Sequence, residues 1–217
     1  MPRYFFSQAF KSLAFGEDTT VYDMAKKALS RIIQLNEIEK ESRTAAASLL
    51  FWQRQALDEA ARAALNLGRA AEAETAARAL AALPPHAEDL EQRSYLDQPS
   101  DPVWGGVLLA QAVVEQGRKA EALQTLEPVL AHYHDVQAQG ATYLAFRQHF
   151  ARALYVQALA QPAESGGMAR GREELDQAAA LLQGLSNEAR QLHDSKQLLS
   201  WIAVAQKKFN PDVEAKK

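Results

Sequence analysis

Two stretches of this chain repeat one another. "LNLGRAAEAETAARALAALPP", starting at Leu65, and "AVVEQGRKAEALQTLEPVLAHY", starting at Ala112, both place Gly-Arg-x-Ala-Glu-Ala between two apolar segments. Aligned on Gly68 and Gly117, Ala73 falls on Ala122, Ala77 on Leu126 and Leu80 on Val129. Glycine lets a chain turn through the left-handed region at the end of a helix. A small alanine one turn later lets two helices approach closely, and the apolar positions after it fill the groove between them. The pattern specifies a tight helical hairpin, written twice.

Composition agrees. Alanine is abundant, and Leu, Glu, Gln, Arg and Lys supply much of the rest, all side chains that lose little freedom in a helix. Val, Ile and Thr are sparse and no period-two alternation is sustained, so no strand is predicted. The chain reads as all-α. With 217 residues, 47% of them hydrophobic and 24% charged, it is long enough and apolar enough to bury a core.

The punctuation predicts helices over Thr20–Lys40, Ser42–Leu67, Ala70–Leu83, Val103–Gln116, Lys119–His134, Ala141–Ala160, Ala169–Gln183 and Asn187–Lys208. Pro128 lies inside the fifth, where it removes one backbone hydrogen bond. Ser186 is positioned to cap the last helix. Residues 84–103 form a polar connector with four prolines and five acids against one arginine. "QPAESGGM" reads as a flexible loop, and residues 209–217 as a flexible tail. Between them, residues 17–208 read as one helical domain, preceded by an apolar segment, 1–16.

The repeated hairpin resembles the tetratricopeptide repeat, whose helix–turn–helix units stack into a right-handed superhelix. That family has a glycine between its helices, an alanine five residues on, and large apolar residues after it. Gly68 with Ala73 and Gly117 with Ala122 match, and Pro85 stands where a closing proline is expected. The family's two aromatic positions in the first helix hold Leu57 and Ala64 in one unit, Gly106 and Val113 in the other. The turn glycines are 49 residues apart (68 to 117) rather than about 34, so the two units are not head to tail. "FARALYVQALA" and "REELDQAAALLQGL" make a third, degenerate unit, and the last helix, with Leu198, Leu199, Ile202 and Ala205 on one face, suits a cap.

The resemblance implies stacked antiparallel hairpins and a non-catalytic scaffold or adaptor that binds a protein partner, a peptide or helix, in a concave groove. Carried over position by position, the groove residues are Gln55, Asp58, Arg62 and Asn66 in the first unit and Trp104, Gln111 and Glu115 in the second. His149 with Arg152 are their counterparts in the third. An exposed Trp104 beside two glycines would anchor an apolar side chain of the partner. The alternatives are a regulatory sensor holding a small ligand near Trp104, Phe146 and Phe150, and a peripheral membrane adaptor.

Chemistry-bearing motifs are absent. There is no cysteine, which removes disulfides, thiol catalysis and Cys-ligated zinc. His132 and His134 are two apart and point different ways on a helix, so they cannot share a metal. "SGGMARG" lacks the strand and the Gly-Lys-Ser/Thr ending of a phosphate loop. Neither a metal nor any other cofactor is expected, and no enzyme. The net charge of −3, with basic and acidic residues mixed along the helices, argues against a nucleic-acid partner.

The N-terminal segment is dense in aromatic residues. Residues 4–15, "YFFSQAFKSLAF", carry four of the eight phenylalanines, with Phe6, Phe10 and Leu13 on one helical stripe and Phe5 beside it. Twelve helical residues extend only about 18 Å, too short to span a membrane. The segment can pack internally, pair with a second copy, hook a partner, or lie at a membrane surface. With no signal-peptide pattern, the expected location is cytoplasmic.

Overall fold

The computed structural model describes residues 17–38, 43–83, 102–162 and 166–209; the segment 1–16, most of the connector and the tail lie outside them. Among the described residues every regular element is an α-helix. In chain order they are α1 (Asp18–Ile38), α2 (Arg43–Asn66), α3 (Ala70–Ala81), α4 (Pro102–Glu115), α5 (Lys119–Ala138), α6 (Leu144–Ala160), α7 (Gly167–Gln183), α8 (Asn187–Gln191) and α9 (His193–Phe209).

Both repeated turns close in the same way. Gly68 and Gly117 take positive φ, 70° and 80°. Gly68 N donates to Leu65 O at 3.0 Å and Arg69 N to Ala64 O at 2.8 Å; Gly117 N donates to Val114 O at 2.9 Å and Arg118 N to Val113 O at 3.2 Å. These are the paired bonds of a Schellman cap, which satisfy carbonyls that the helix end leaves open. Arg69 and Arg118 then lead into the next helix at matching dihedrals, φ −94°, ψ 61° and φ −85°, ψ 59°. The aligned pairs Ala73/Ala122 and Ala77/Leu126 are fully buried, as is Leu80, with Val129 nearly so.

The chain divides into two compact units, with the boundary inside α4 between Ala112 and Val113. In the first unit α2 packs against both α1 and α3. α1 and α2 run antiparallel: Asn66, at the end of α2, donates from Nδ2 to Asp18 Oδ1 at the start of α1 at 2.8 Å. At the other end Ile32 and Leu35 meet Leu49 and Trp52, around buried Ala28 and Ala56. Ala56, Ala60, Ala61, Ala63 and Ala64 of α2 are all buried. A helix so lined with methyl groups can be approached closely on several sides. Tyr22 of α1 hydrogen-bonds from its hydroxyl to Glu72 of α3, its ring flanked by Lys26 and Arg69 at 5.2 and 5.3 Å.

In the second unit α5 packs on α6, α6 on α7, and α9 on α7, α8 and α6. Tyr133 stacks on Phe150 at 5.6 Å and meets Phe146 edge-on at 6.2 Å, and the Phe146 and Phe150 rings lie tilted 5.7 Å apart. Thus Phe146 and Phe150, read from sequence as walls for a small ligand, lie in ring-to-ring contact.

Several boundaries differ from those the sequence predicts. α5 continues four residues past His134 to Ala138, and Ala141 belongs to the turn after it; α6 starts only at Leu144, after an extended Tyr143 (φ −70°, ψ 158°). The single last helix is two. Ser186 does cap α8, accepting from Ala189 N at 3.2 Å, but the helix stops at an extended Leu192 (φ −60°, ψ 144°). Leu192 O then accepts from Lys196 N at 3.0 Å and starts α9 afresh. The new direction buries Ser195, Leu198, Ile202 and Ala205.

Candidate functional site

α2 carries the polar residues that matter most in the first unit. Gln55, Glu59, Arg62 and Asn66 recur at i, i+4, i+7 and i+11, the spacing of one helix face. Asp58 lies beside that stripe, on the side reached by α4. Its Oδ1 accepts two hydrogen bonds, from Arg62 Nε at 2.9 Å and from Trp104 Nε1 at 2.8 Å. The Arg62–Asp58 pair is also an ion pair with little exposure, 16% and 10% of the two side chains. Charge-assisted bonds in so screened a position are stronger than their surface equivalents.

Trp104 is therefore no exposed anchor. It is 5% exposed, and its indole spends its one donor on Asp58. Burial of a large ring stabilises the unit, provided that N–H finds an acceptor, and Asp58 is that acceptor. The ring reaches it because Gly105 brings α4 against the end of α3. A Cβ on Gly105 would lie 2.9 Å from Ala81 N and 3.1 Å from its Cα.

Glu59 is buried with one carboxyl oxygen unmatched. It is 1% exposed, and its Oε2 has no hydrogen-bond partner among the described residues. Burial pushes its carboxyl up to about 8; Arg62 opposes that rise and Asp58 adds to it. Burial therefore favours the protonated carboxyl.

The remaining positions read from the resemblance divide three ways. Gln55 and Arg62 are half-buried on α2, while Asn66, also half-buried, is committed to Asp18. Gln111 is fully buried, and Glu115, at the end of α4, is exposed. In the second unit His149 is half-buried and Arg152 is 5% exposed. The Arg152 guanidinium lies over the Trp201 ring at 5.2 Å, and Trp201 stacks on Tyr155 at 6.0 Å. The Tyr155 hydroxyl is held up to about 12 by burial and by Glu115, with Arg152 pulling the other way. Phe5, Phe6, Phe10 and Leu13, and with them Pro85, lie outside the described residues.

Sequence reasoning missed Glu59, fully buried Arg54, Tyr155 and Trp201. Glu59 had a signal, since it continues the Gln55–Arg62–Asn66 stripe. The Arg152–Trp201–Tyr155 stack had none, because Trp201 comes from a helix that follows the repeat pattern.

Among the described residues no three His, Asp or Glu side chains are grouped to hold a metal ion. No helix among them is long and apolar enough to cross a membrane. No model of a known protein family matches the chain, nor does any curated protein or solved structure.

Proposed function

We propose that this chain is a non-catalytic interaction module of tetratricopeptide-like hairpins, closed by α9, that works in the cytoplasm and binds a peptide or a helix of another protein. The observation that carries the reading is the shared turn. Gly68–Ala73 and Gly117–Ala122 repeat one backbone geometry, one hydrogen-bond pattern and one set of buried positions. Hairpins of this type leave one face of each first helix available, and on α2 that face is polar. Gln55 and Arg62 are its contact residues. Asp58 and Trp104, both buried, position Arg62 and join α4 to α2 rather than touch the partner.

Photo-crosslinking tests it. A benzophenone side chain is placed at Gln55, and in a second variant at Ala79, an exposed residue of α3 outside the polar stripe. In cells of the source organism, a discrete adduct from position 55 and none from 79 is expected. Adducts of equal yield from both positions, or none from position 55, reject the groove on α2.

A further inference from the structure

The break at Leu192 sets local sequence against tertiary structure. Residues 187–209 hold no glycine or proline and read as one periodic helix, yet the chain bends at an extended Leu192 (φ −60°, ψ 144°) to dock α9. The bend forgoes the i→i−4 backbone bonds that a continuous helix carries, and it leaves Leu192 44% exposed. The turns that lead into α5, α6 and α7 are marked by Gly117, Gly140 and Gly166 at positive φ. Leu192 has no such local determinant.

What holds α9 down lies on α6 and α7. Gln148 Nε2 of α6 donates to Ser195 Oγ at 2.8 Å, Trp201 stacks on Tyr155, and the Arg152 guanidinium lies over Trp201. On α7, Asp176 Oδ1 accepts from Gln206 Nε2 at 2.7 Å, and Arg172 Nη2 donates to Phe209 O at 2.9 Å. The Phe209 ring occupies the space that a Cβ on Gly171 would fill. α8 contributes less. None of its five residues is buried, and Arg190 ties it back to the end of α7, donating from Nη1 to Gln183 O at 3.4 Å. A rotation at Leu192 carries α9 away as a unit and leaves α8 in place.

We propose that α9 is an exchangeable element. In its second state Leu192 turns helical, α8 and α9 become one straight helix, and α9 docks on α6 and α7 of a second copy of this chain, whose own α9 returns the exchange. Fit identifies the partner. The surface that α9 leaves offers a ring to Trp201, an amide to Ser195 and a gap at Gly171 to Phe209, and a second copy brings that same helix. The contacts on α6 and α7 that hold α9 in the closed monomer are therefore re-made between copies. The two states differ at the hinge and in the entropy of association. Helix continuity through Leu192 favours exchange, and dilution opposes it.

The test uses the full chain with a benzophenone side chain at Gln197, a half-buried position one turn before Trp201. Should the probe disturb folding there, Val204, exposed on α9, takes it. Isotope-labelled and unlabelled protein are mixed in urea, refolded together at high concentration, irradiated and separated by size. The expected result is a dimer fraction that grows with protein concentration, in which cross-linked α9–α6 peptides join a labelled to an unlabelled chain. The monomer fraction gives same-label pairs only. Leu192→Pro separates the hinge from the docking contacts: φ −60° suits proline, while proline inside a straight helix breaks it. That variant is expected to lose the dimer and the mixed-label pairs. Circular dichroism checks that it folds; should it not, the label pattern of the wild type still decides. Same-label pairs alone overturn the proposal, whether the protein stays monomeric or dimerises through another surface such as residues 4–15. Mixed-label pairs that persist undiminished in folded Leu192→Pro overturn it equally.

Discussion

Trp104 shows how a single residue's role depends on what lies far from it in sequence. A tryptophan next to two glycines reads as a ring on an open surface. Its partner, Asp58, is 46 residues away, and no local pattern announces the pairing. Replacing Trp104 with phenylalanine keeps most of the apolar burial and removes the donor. The expected loss is about 1–3 kcal/mol in urea unfolding, because buried Asp58 loses one of the two donors to its Oδ1 and keeps Arg62 alone. In an Asp58→Asn background that loss is expected to shrink, since a neutral acceptor gives less to lose. Gly105 fails differently on substitution. Alanine there drives a methyl into the backbone of Ala81, which cannot swing aside as a side-chain tip can. Overpacking of that kind costs about 1–3 kcal/mol. The expected result is a lower urea midpoint for Gly105→Ala, while Gly105→Ser is no better. Equal stability of Gly105→Ala and wild type would show that α3 and α4 are not held this closely.

At the scale of elements, the sequence was most legible where chemistry is local. The turn at Gly68 and its copy at Gly117 were readable from six residues, because a left-handed cap needs glycine and a close hairpin needs the following alanine. A Cβ at either glycine meets no atom within 4 Å, so substitution there tests backbone conformation alone. Gly68→Ala and Gly117→Ala are each expected to cost about 1–2 kcal/mol, and asparagine at either position less. Thermal unfolding of the two variants checks it; a cost confined to one turn would mean that the likeness stops at sequence. The cap at Ser186 was legible for the same local reason. The stop at Leu192 was not. No glycine or proline marks it, and Leu192 is an ordinary helix former in a periodic stretch. The break is imposed by tertiary packing: α9 buries Ser195 against Gln148 of α6, Oγ to Nε2 at 2.8 Å, and stacks Trp201 on Tyr155. Long-range contacts of this type override propensity, and propensity is all that one helix can display.

Over the whole molecule, the proton inventory links the candidate site to stability. Each compact unit holds a carboxyl raised well above its ordinary value: Glu59 in the first, pushed to about 8, and Glu174 in the second, pushed to about 7, both chiefly by burial. In the unfolded chain both ionise near 4.5. Between that pH and the folded value the native state holds more protons than the unfolded one, so stability from these groups is present in acid and falls as pH rises. For Glu59 the fall between pH 5 and pH 7 is about 2 kcal/mol, scaled from the free-energy equivalent of a pKa unit and discounted for relaxation around the charge. Glutamine titrates nowhere, so Glu59→Gln is expected to match the wild type near pH 5 and to exceed it progressively toward pH 8. The three tryptophans allow the units to be followed separately. With Trp201 replaced by phenylalanine, Trp52 and Trp104 report only the first unit, where the Glu59→Gln gain should be seen. With Trp52 and Trp104 replaced instead, Trp201 should show no gain from Glu59→Gln and a smaller, separate gain from Glu174→Gln. A pH-independent difference between wild type and Glu59→Gln would mean that Glu59 is ionised in the fold at neutral pH.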